Sequence, residues 1–302
     1  MQISPDRKWA VETRDGNLWL RDMANGQERA LAQDGEPNFG YGIWFDEWMA
    51  AGIPRQQAIL NGHQLLPFET YWSPDSNTVI APRIDQRDVA EYPFVESAPV
   101  DGSFRPIVHP SRIPLVGEKP PTLEWFAFDV PSGKSRRLEF PYSKLLILQL
   151  DFLAVRKTWW SPDNKHLFAV TYGENLESAF FFDVEVATGN VRTVIEEHML
   201  PRMDLNSTSH NPPNVRLSRD AKYVIWFSQR DGWGHLYLYD CQTGKLLNQI
   251  TKGPWLVRDI MGMDEERHRI YFTGGGREGG KPYYRHLYRV DFDGSHLTLL
   301  SP

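Results

Sequence analysis

Several short stretches of this chain hold residue types that can do chemistry, and spacing decides what each of them can be. Glu196-Glu197-His198 sets two carboxylates beside an imidazole. A metal-hydrolase reading needs two histidines one helical turn apart, yet no His-Glu-x-x-His occurs and the nine histidines are scattered. The trio follows a strand-like run, so an exposed turn is expected. Gly274-Gly-Gly-Arg-Glu-Gly-Gly280 suggests a phosphate cradle but lacks the Lys-Ser/Thr ending and a following helix. It reads as a flexible hairpin tip. Arg83, Asp85, Arg87 and Asp88 alternate in charge and suit a structural salt-bridge cluster. His235 lies in or beside a strand, where it should hydrogen-bond its neighbours. The single cysteine, Cys241, excludes an intramolecular disulfide and a zinc ribbon, and its place at a strand end makes it a packed thiol. A serine nucleophile exposed on a strained elbow needs Gly-x-Ser-x-Gly, which occurs nowhere. No catalytic residue, metal ligand or cofactor is therefore assigned.

The elements that must position such residues come from one repeated phrase. Ser-Pro-Asp, a polar pair and an apolar run recur at Ser4-Pro5-Asp6, Ser73-Pro74-Asp75 and Ser161-Pro162-Asp163, with degenerate copies at Ser218-Arg219-Asp220 and Met263-Asp-Glu-Glu-Arg267. Proline presets φ, the neighbouring Asp caps the turn, and each apolar run is expected to be a strand with one buried face. A second phrase follows each copy: an aromatic strand, an Asp, and a turn ending at Gly26, Gly133, Gly189, Gly244 or Gly294. Those glycines supply the positive φ of tight hairpins. The fold class expected is all-β: a β-propeller of four-stranded antiparallel blades with about five repeat units, occupying residues 1–302. Between Gly26 and Gly133 the spacing doubles, which places an inserted, proline-rich arm at about 82–123. A second long connection, roughly 36–67, separates the first two units. Short helical turns are expected only at 46–51 and 145–155.

Composition removes several function classes. With 33 basic against 39 acidic residues the net charge is −6, so no basic excess exists to neutralise nucleic-acid phosphates. No apolar run is long enough for a membrane-spanning helix. The opening Met1-Gln-Ile-Ser-Pro5 has no signal-peptide character and reads like the middle of a repeat, which suggests an incomplete gene product. Localisation stays open between cytoplasm and periplasm. Asn206-Ser-Thr208 is a glycosylation sequon only in a chain secreted by a eukaryote.

The Ser-Pro-Asp repeats resemble those of prolyl oligopeptidase relatives. Arg230-Asp-Gly-Trp-Gly-His-Leu-Tyr-Leu-Tyr239, then Gln249-Ile-Thr-Lys-Gly-Pro-Trp255, narrow the resemblance to the dipeptidyl peptidase IV N-terminal region. Arg83-Ile-Asp-Gln-Arg87, Pro99-Val-Asp-Gly102, Arg112-Ile-Pro-Leu115 and Leu287-Tyr-Arg-Val290 add to it, and it runs essentially end to end. The resemblance implies an eight-bladed propeller over a C-terminal α/β-hydrolase domain that removes dipeptides from N-termini. The propeller would gate access and help to bind substrate. It also implies a pair of acidic residues holding the substrate's free ammonium, because two carboxylates can both bridge one compact cation. Asp46 and Glu47, in Trp44-Phe-Asp-Glu-Trp48, are the nearest match, although the family's Glu-Glu is absent and the spacing to Ser73 is longer; Glu69 is a weaker substitute. The partners expected are a peptide N-terminus, the hydrolase domain missing from these residues, and a second copy in a homodimer. Nucleic acid and a membrane segment are not expected. Alone, such a chain should not hydrolyse peptides. The alternative is a stand-alone propeller acting as an interaction scaffold or ligand-binding module.

Overall fold

The computed structural model describes residues 1–60, 62–99, 102–141, 157–173, 176–207 and 211–301, so the helical turn expected at 145–155 lies outside the described residues. The chain divides into two compact units, residues 1–147 with 186–190, and residues 148–185 with 191–302.

Among the described residues the first unit holds two large sheets and a two-stranded one. Of the large ones, one is ordered β1(Gln2–Ile3), β2(Trp9–Arg14), β3(Asn17–Asp22), β4(Glu28–Ala30). The other is built on β7(Thr78–Asp85), which pairs along its length with β10(Thr122–Asp129), itself paired with β11(Ser135–Leu138). On the other side of β7 the inner strand is broken. β5(Phe39–Tyr41) pairs with the Asp85 end and β6(Tyr71–Trp72) with the Val79 end. Residues 42–70 leave from the middle of that strand and carry α1(Asp46–Ala50) and α2(Ile53–Leu60). The connection read at 36–67 therefore contains a strand of the sheet. Residues 86–121 lie between β7 and β10 and carry a separate ribbon, β8(Glu91–Glu96) with β9(Ile107–Arg112). Residues 82–85 and 122–123, at the two ends of the expected arm, are sheet residues.

The second unit holds three four-stranded sheets: β12(Thr158–Trp160) to β15(Val191–His198), β16(Arg216–Leu217) to β19(Leu246–Gln249), and β20(Leu256–Asp264) to β23(Thr298–Leu299), each paired in chain order. All the pairings are antiparallel. The two central strands of the middle sheet, β17(Tyr223–Ser228) and β18(His235–Asp240), are buried on both faces. In β17, Val224 and Trp226 pack into one core with Phe168, Val170 and Phe181 of the preceding sheet. Ile225 and Phe227 pack into another with Ile270, Phe272 and Tyr288 of the following sheet. This corrects the expectation of a single buried face: a sheet stacked between two others must be apolar on both sides. An aromatic side chain removes about 150–250 Å2 from water, roughly 4–6 kcal/mol at ~25 cal/mol per Å2. A turn contributes about 1 kcal/mol per hydrogen bond. Stacking holds the sheets; turns set their register.

The Ser-Pro-Asp turns have a serine at their centre. Ser4, Ser73, Ser161 and Ser218 are buried. Each Oγ donates to the Asp two residues on, at 2.7, 2.5, 2.6 and 2.6 Å. The same oxygens accept the backbone N–H of Trp9, Thr78, His166 and Tyr223, at 3.0, 2.9, 3.0 and 2.9 Å. The turn persists in the copy with Arg219 in place of proline, so the Ser–Asp pair is what defines it.

Candidate functional site

The segment around Asp46 is pinned before it becomes helical. Gly42 leaves β5 at φ 60°, and a Cβ there would come within 2.8 Å of Thr13 Oγ1 and 3.0 Å of Pro67, so only glycine passes. Trp44, Phe45 and Trp48 then close on buried Phe68 with ring centroids 5.1, 5.2 and 5.2 Å away. Trp44 Nε1 donates to Leu66 O at 3.0 Å, tying the outgoing and returning limbs together.

Beside this aromatic knot lies a cavity of about 500 Å3. Three carboxylate residues line it, Glu12 and Asp15 at the β2–β3 hairpin and Asp46 at the start of α1, together with apolar Trp44, Met49 and Leu65. Asp46 Oδ2 accepts the backbone N–H of Arg112, at the end of β9, at 2.9 Å. The Asp46 N–H donates to Gln86 Oε1 at 3.0 Å. Glu12 is ion-paired with Arg14, which also bridges Glu28 at 2.8 Å. Glu47 is exposed and Glu69 sits half-buried at a turn with φ 47°; neither lines the cavity. Of the two acids singled out by resemblance, the structure places Asp46 at the cavity and Glu47 outside it. Glu12 and Asp15 lie more than thirty residues upstream, and nothing in their local sequence distinguishes them from other hairpin charges. An acidic, partly apolar cavity of this size suits a compact ammonium on an apolar body.

The remaining charged stretches resolve into structure. Arg83 meets Glu124 through Nη2 and Nε at 2.5 and 3.1 Å and Asp34 at 2.9 Å, and lies over the rings of Phe39 and Phe126 at 4.6 and 5.0 Å. Its neighbour Tyr41 has its phenol pushed up to about 12, chiefly by burial. Arg87 bonds both Asp85 oxygens, at 3.0 and 2.8 Å, and Asp88 pairs with Lys119.

Glu196-Glu197-His198 is not an exposed turn. All three belong to β15, and Glu197 is buried at 9% exposure. Its carboxylate accepts from Trp226 Nε1 at 2.6 Å, from Ser228 Oγ, and from Arg230 Nη2 at 2.6 Å. Arg230 also donates to Tyr239 OH at 2.8 Å and covers the Tyr237 ring at 4.3 Å. Glu196 pairs outward with His198. The glycine-rich stretch joins β21(Arg269–Gly275) to β22(His286–Asp291), with Gly276 and Gly280 at φ 84° and 103°. His235 is buried and bonds Thr251 Oγ1 and Gly253 O, and Cys241 is a buried free thiol. Among the described residues no group of three or more His, Cys, Asp or Glu is placed to hold a metal ion. No helix among them is long and apolar enough to cross a membrane.

Antiparallel sheets of this kind, with a helical excursion and an inserted ribbon, are those of a β-propeller fold. The family model of the dipeptidyl peptidase IV N-terminal region matches residues 1–302, and the chain belongs to that family. It is 23% identical over 318 residues to the probable dipeptidyl-aminopeptidase B of Aspergillus fumigatus, covering 99% of this chain and 32% of that protein. To the probable dipeptidyl peptidase 4 of Emericella nidulans it is 23% identical over 307 residues, covering 98% of this chain and 36% of the other. The crystal structure of Porphyromonas gingivalis dipeptidyl peptidase 4 superposes with a TM-score of 0.72 at 19% identity, over 99% of this chain and 38% of that one. A dipeptidyl aminopeptidase IV structure from Bacteroides ovatus gives 0.62 at 19%, over 98% and 44%. The chain thus spans about a third of the length of the curated relatives it matches.

Proposed function

We propose that this chain is the non-catalytic propeller region of a dipeptidyl peptidase IV-like serine exopeptidase. It gates peptide access and holds the substrate's free N-terminus for a C-terminal α/β-hydrolase domain. Asp46 is the amine anchor; Glu12 and Asp15 are the other acids of its cavity, and Glu47, its neighbour in sequence, lies outside it. The observation that carries this reading is the position of Asp46, at the start of α1, in a cavity shared with Glu12 and Asp15. An ammonium there meets carboxylate charge, and the adjoining side chain meets Trp44, Met49 and Leu65.

The test is a titration of the purified chain with alanyl-prolinamide and with its N-acetyl derivative, followed by NMR. The free amine should bind at least about tenfold tighter, the loss of one charge-assisted contact, and Asp46→Asn should abolish the difference. Equal binding of the two probes refutes the anchor. The chain alone should release no product from a dipeptidyl chromogenic substrate in a reaction sensitive to serine-directed inhibitors.

The ribbon favours a homodimer as a further part of this reading. Val95 and Val108, paired in register and both exposed on one face of β8 and β9, give an apolar surface that a second ribbon would cover, while Tyr92, Phe94 and Ile107 are exposed on the opposite face. Val95→Lys with Val108→Lys should convert a dimer to a monomer in sedimentation; a wild-type monomer at high concentration refutes it.

A further inference from the structure

We infer that Gln86 is the positioning residue of the Asp46 site, and that the arm's two roots, rather than α1 itself, set where that carboxylate stands. The inference rests on reading Asp46 as the amine anchor. α1 has only five residues and its N-cap, Phe45, offers no side-chain acceptor. A helix so short does not hold itself in water, and an uncapped N-terminus leaves its first N–H groups without partners.

The missing acceptor comes from outside the segment. Gln86, the first residue beyond β7, is 2% exposed, and its Oε1 takes the Asp46 N–H at 3.0 Å. The same side chain's Nε2 donates to Trp44 O at 3.5 Å, and its backbone N–H donates to Asn38 O at 2.8 Å. Gln86 therefore ties together Asn38 ahead of β5, Trp44 just before the N-cap, and the helix's first residue, Asp46. On the far side of the arm, the Arg112 N–H holds Asp46 Oδ2 at 2.9 Å, and Arg112 itself pairs with Glu91 at 3.1 Å. Backbone and side chain of Asp46 are thus each fixed by one root of the inserted ribbon. A buried glutamine with both amide groups engaged tolerates little displacement, because moving α1 leaves a polar group unpaired.

Gln86→Met keeps the volume and removes the acceptor, and Gln86→Glu restores an acceptor. Amide hydrogen exchange of the chain reads the outcome without any ligand. Asp46, Trp48 and Met49 amides should exchange about tenfold faster in Gln86→Met, the loss of one capping bond. Val79, Ile80 and Phe126 in the sheet should be unchanged, and Gln86→Glu should recover protection in α1. Unchanged α1 exchange overturns the inference. So does acceleration of α1 and sheet amides together, which marks a merely structural residue. The alanyl-prolinamide preference over its acetyl derivative should fall about tenfold in Gln86→Met and return in Gln86→Glu. If wild type shows no such preference while the exchange effect stands, the anchor reading fails and the positioning role survives.

Discussion

Removing the Glu197 carboxylate should cost the second unit about 3 kcal/mol. The structure supplies the magnitude. Glu197→Ala strands three donors: Trp226 Nε1 and Ser228 Oγ, both on residues fully buried, and the Arg230 guanidinium. An unsatisfied buried donor costs about 1–3 kcal/mol, and breaking a buried ion pair from one side about 3–5 kcal/mol. Arg230 is discounted because its side chain is 31% exposed and water partly replaces the lost carboxylate. Ser228 recovers some of its loss, since its hydroxyl already accepts from Arg230 Nε at 2.9 Å and can rotate. That leaves the indole N–H and a screened charge as the main terms. Urea unfolding followed by tryptophan fluorescence measures the change as a shifted midpoint at unchanged slope. A double-mutant cycle with Arg230→Met isolates the pair. Arg230→Met should cost about 1–2 kcal/mol less in the Glu197→Ala background than in wild type, because there it removes a charge that already lacks its partner. A Glu197→Ala cost below about 1 kcal/mol, or a cycle with no coupling, would refute the claim that this carboxylate joins the two sheets.

Two further outcomes follow from the turns and the thiol. Asp220 is held below its ordinary 3.8 first by the Ser218 hydroxyl, then against a smaller opposing burial effect. Ser4 and Ser161 do the same for Asp6 and Asp163. A carboxyl depressed in the folded state contributes stability that is complete above its unfolded pKa and lost as pH falls through the folded one. Melting temperature should therefore drop more steeply below pH 3.8 in wild type than in Ser218→Ala, which should be less stable at pH 6 and converge at low pH. Parallel curves would contradict this. The Cys241 thiol is pushed up to about 12, by burial first and by the charge of Asp183 next, against the pull of Arg192. Iodoacetamide near neutral pH should leave it unlabelled in the native chain and label it fully in denaturant; rapid native labelling would show that the strand end opens.

The repeats were legible because their signals are local. A serine bonding two and five residues ahead, and a glycine closing a hairpin, leave their pattern within a few positions of sequence. Features made by other parts of the chain were not. α2 escaped notice because Pro54 reads as a breaker, although proline is tolerated in a helix's first turn. β15 runs on past Glu196 because the one buried carboxylate in it, Glu197, is given its cation by Arg230, which arrives from 33 residues away and leaves no local sign in the sequence. Tyr223-Val-Ile-Trp-Phe227 carried a signal that could have been used: an unbroken apolar run instead of an alternating one is the mark of a strand covered on both faces. Asp46 was found by resemblance, while Glu12 and Asp15 join it only when β2, β3 and the 42–70 excursion are folded together.

The two ends of the first unit's strands are used differently, and that division explains where a site can form. β2 and β7 begin at Ser–Asp turns and β3 and β10 finish at glycine turns, so one end is occupied by short, fully bonded loops. The opposite end receives the β2–β3 hairpin tip and both roots of the arm, while the 42–70 excursion leaves opposite the middle of β7. The middles of β2, β3, β7 and β10 are committed to the core shared by Val11, Leu20, Val79 and Phe128, so chemistry is added where a strand ends or, as between β5 and β6, where it is broken. Lengthening a connection costs little closure entropy, so an excursion at the β5–β6 break and a ribbon between β7 and β10 leave the register of β7 against β10 undisturbed. The same physics makes the site depend on its neighbours: a carboxylate carried on a five-residue helix keeps its place only through bonds supplied by the segments beside it.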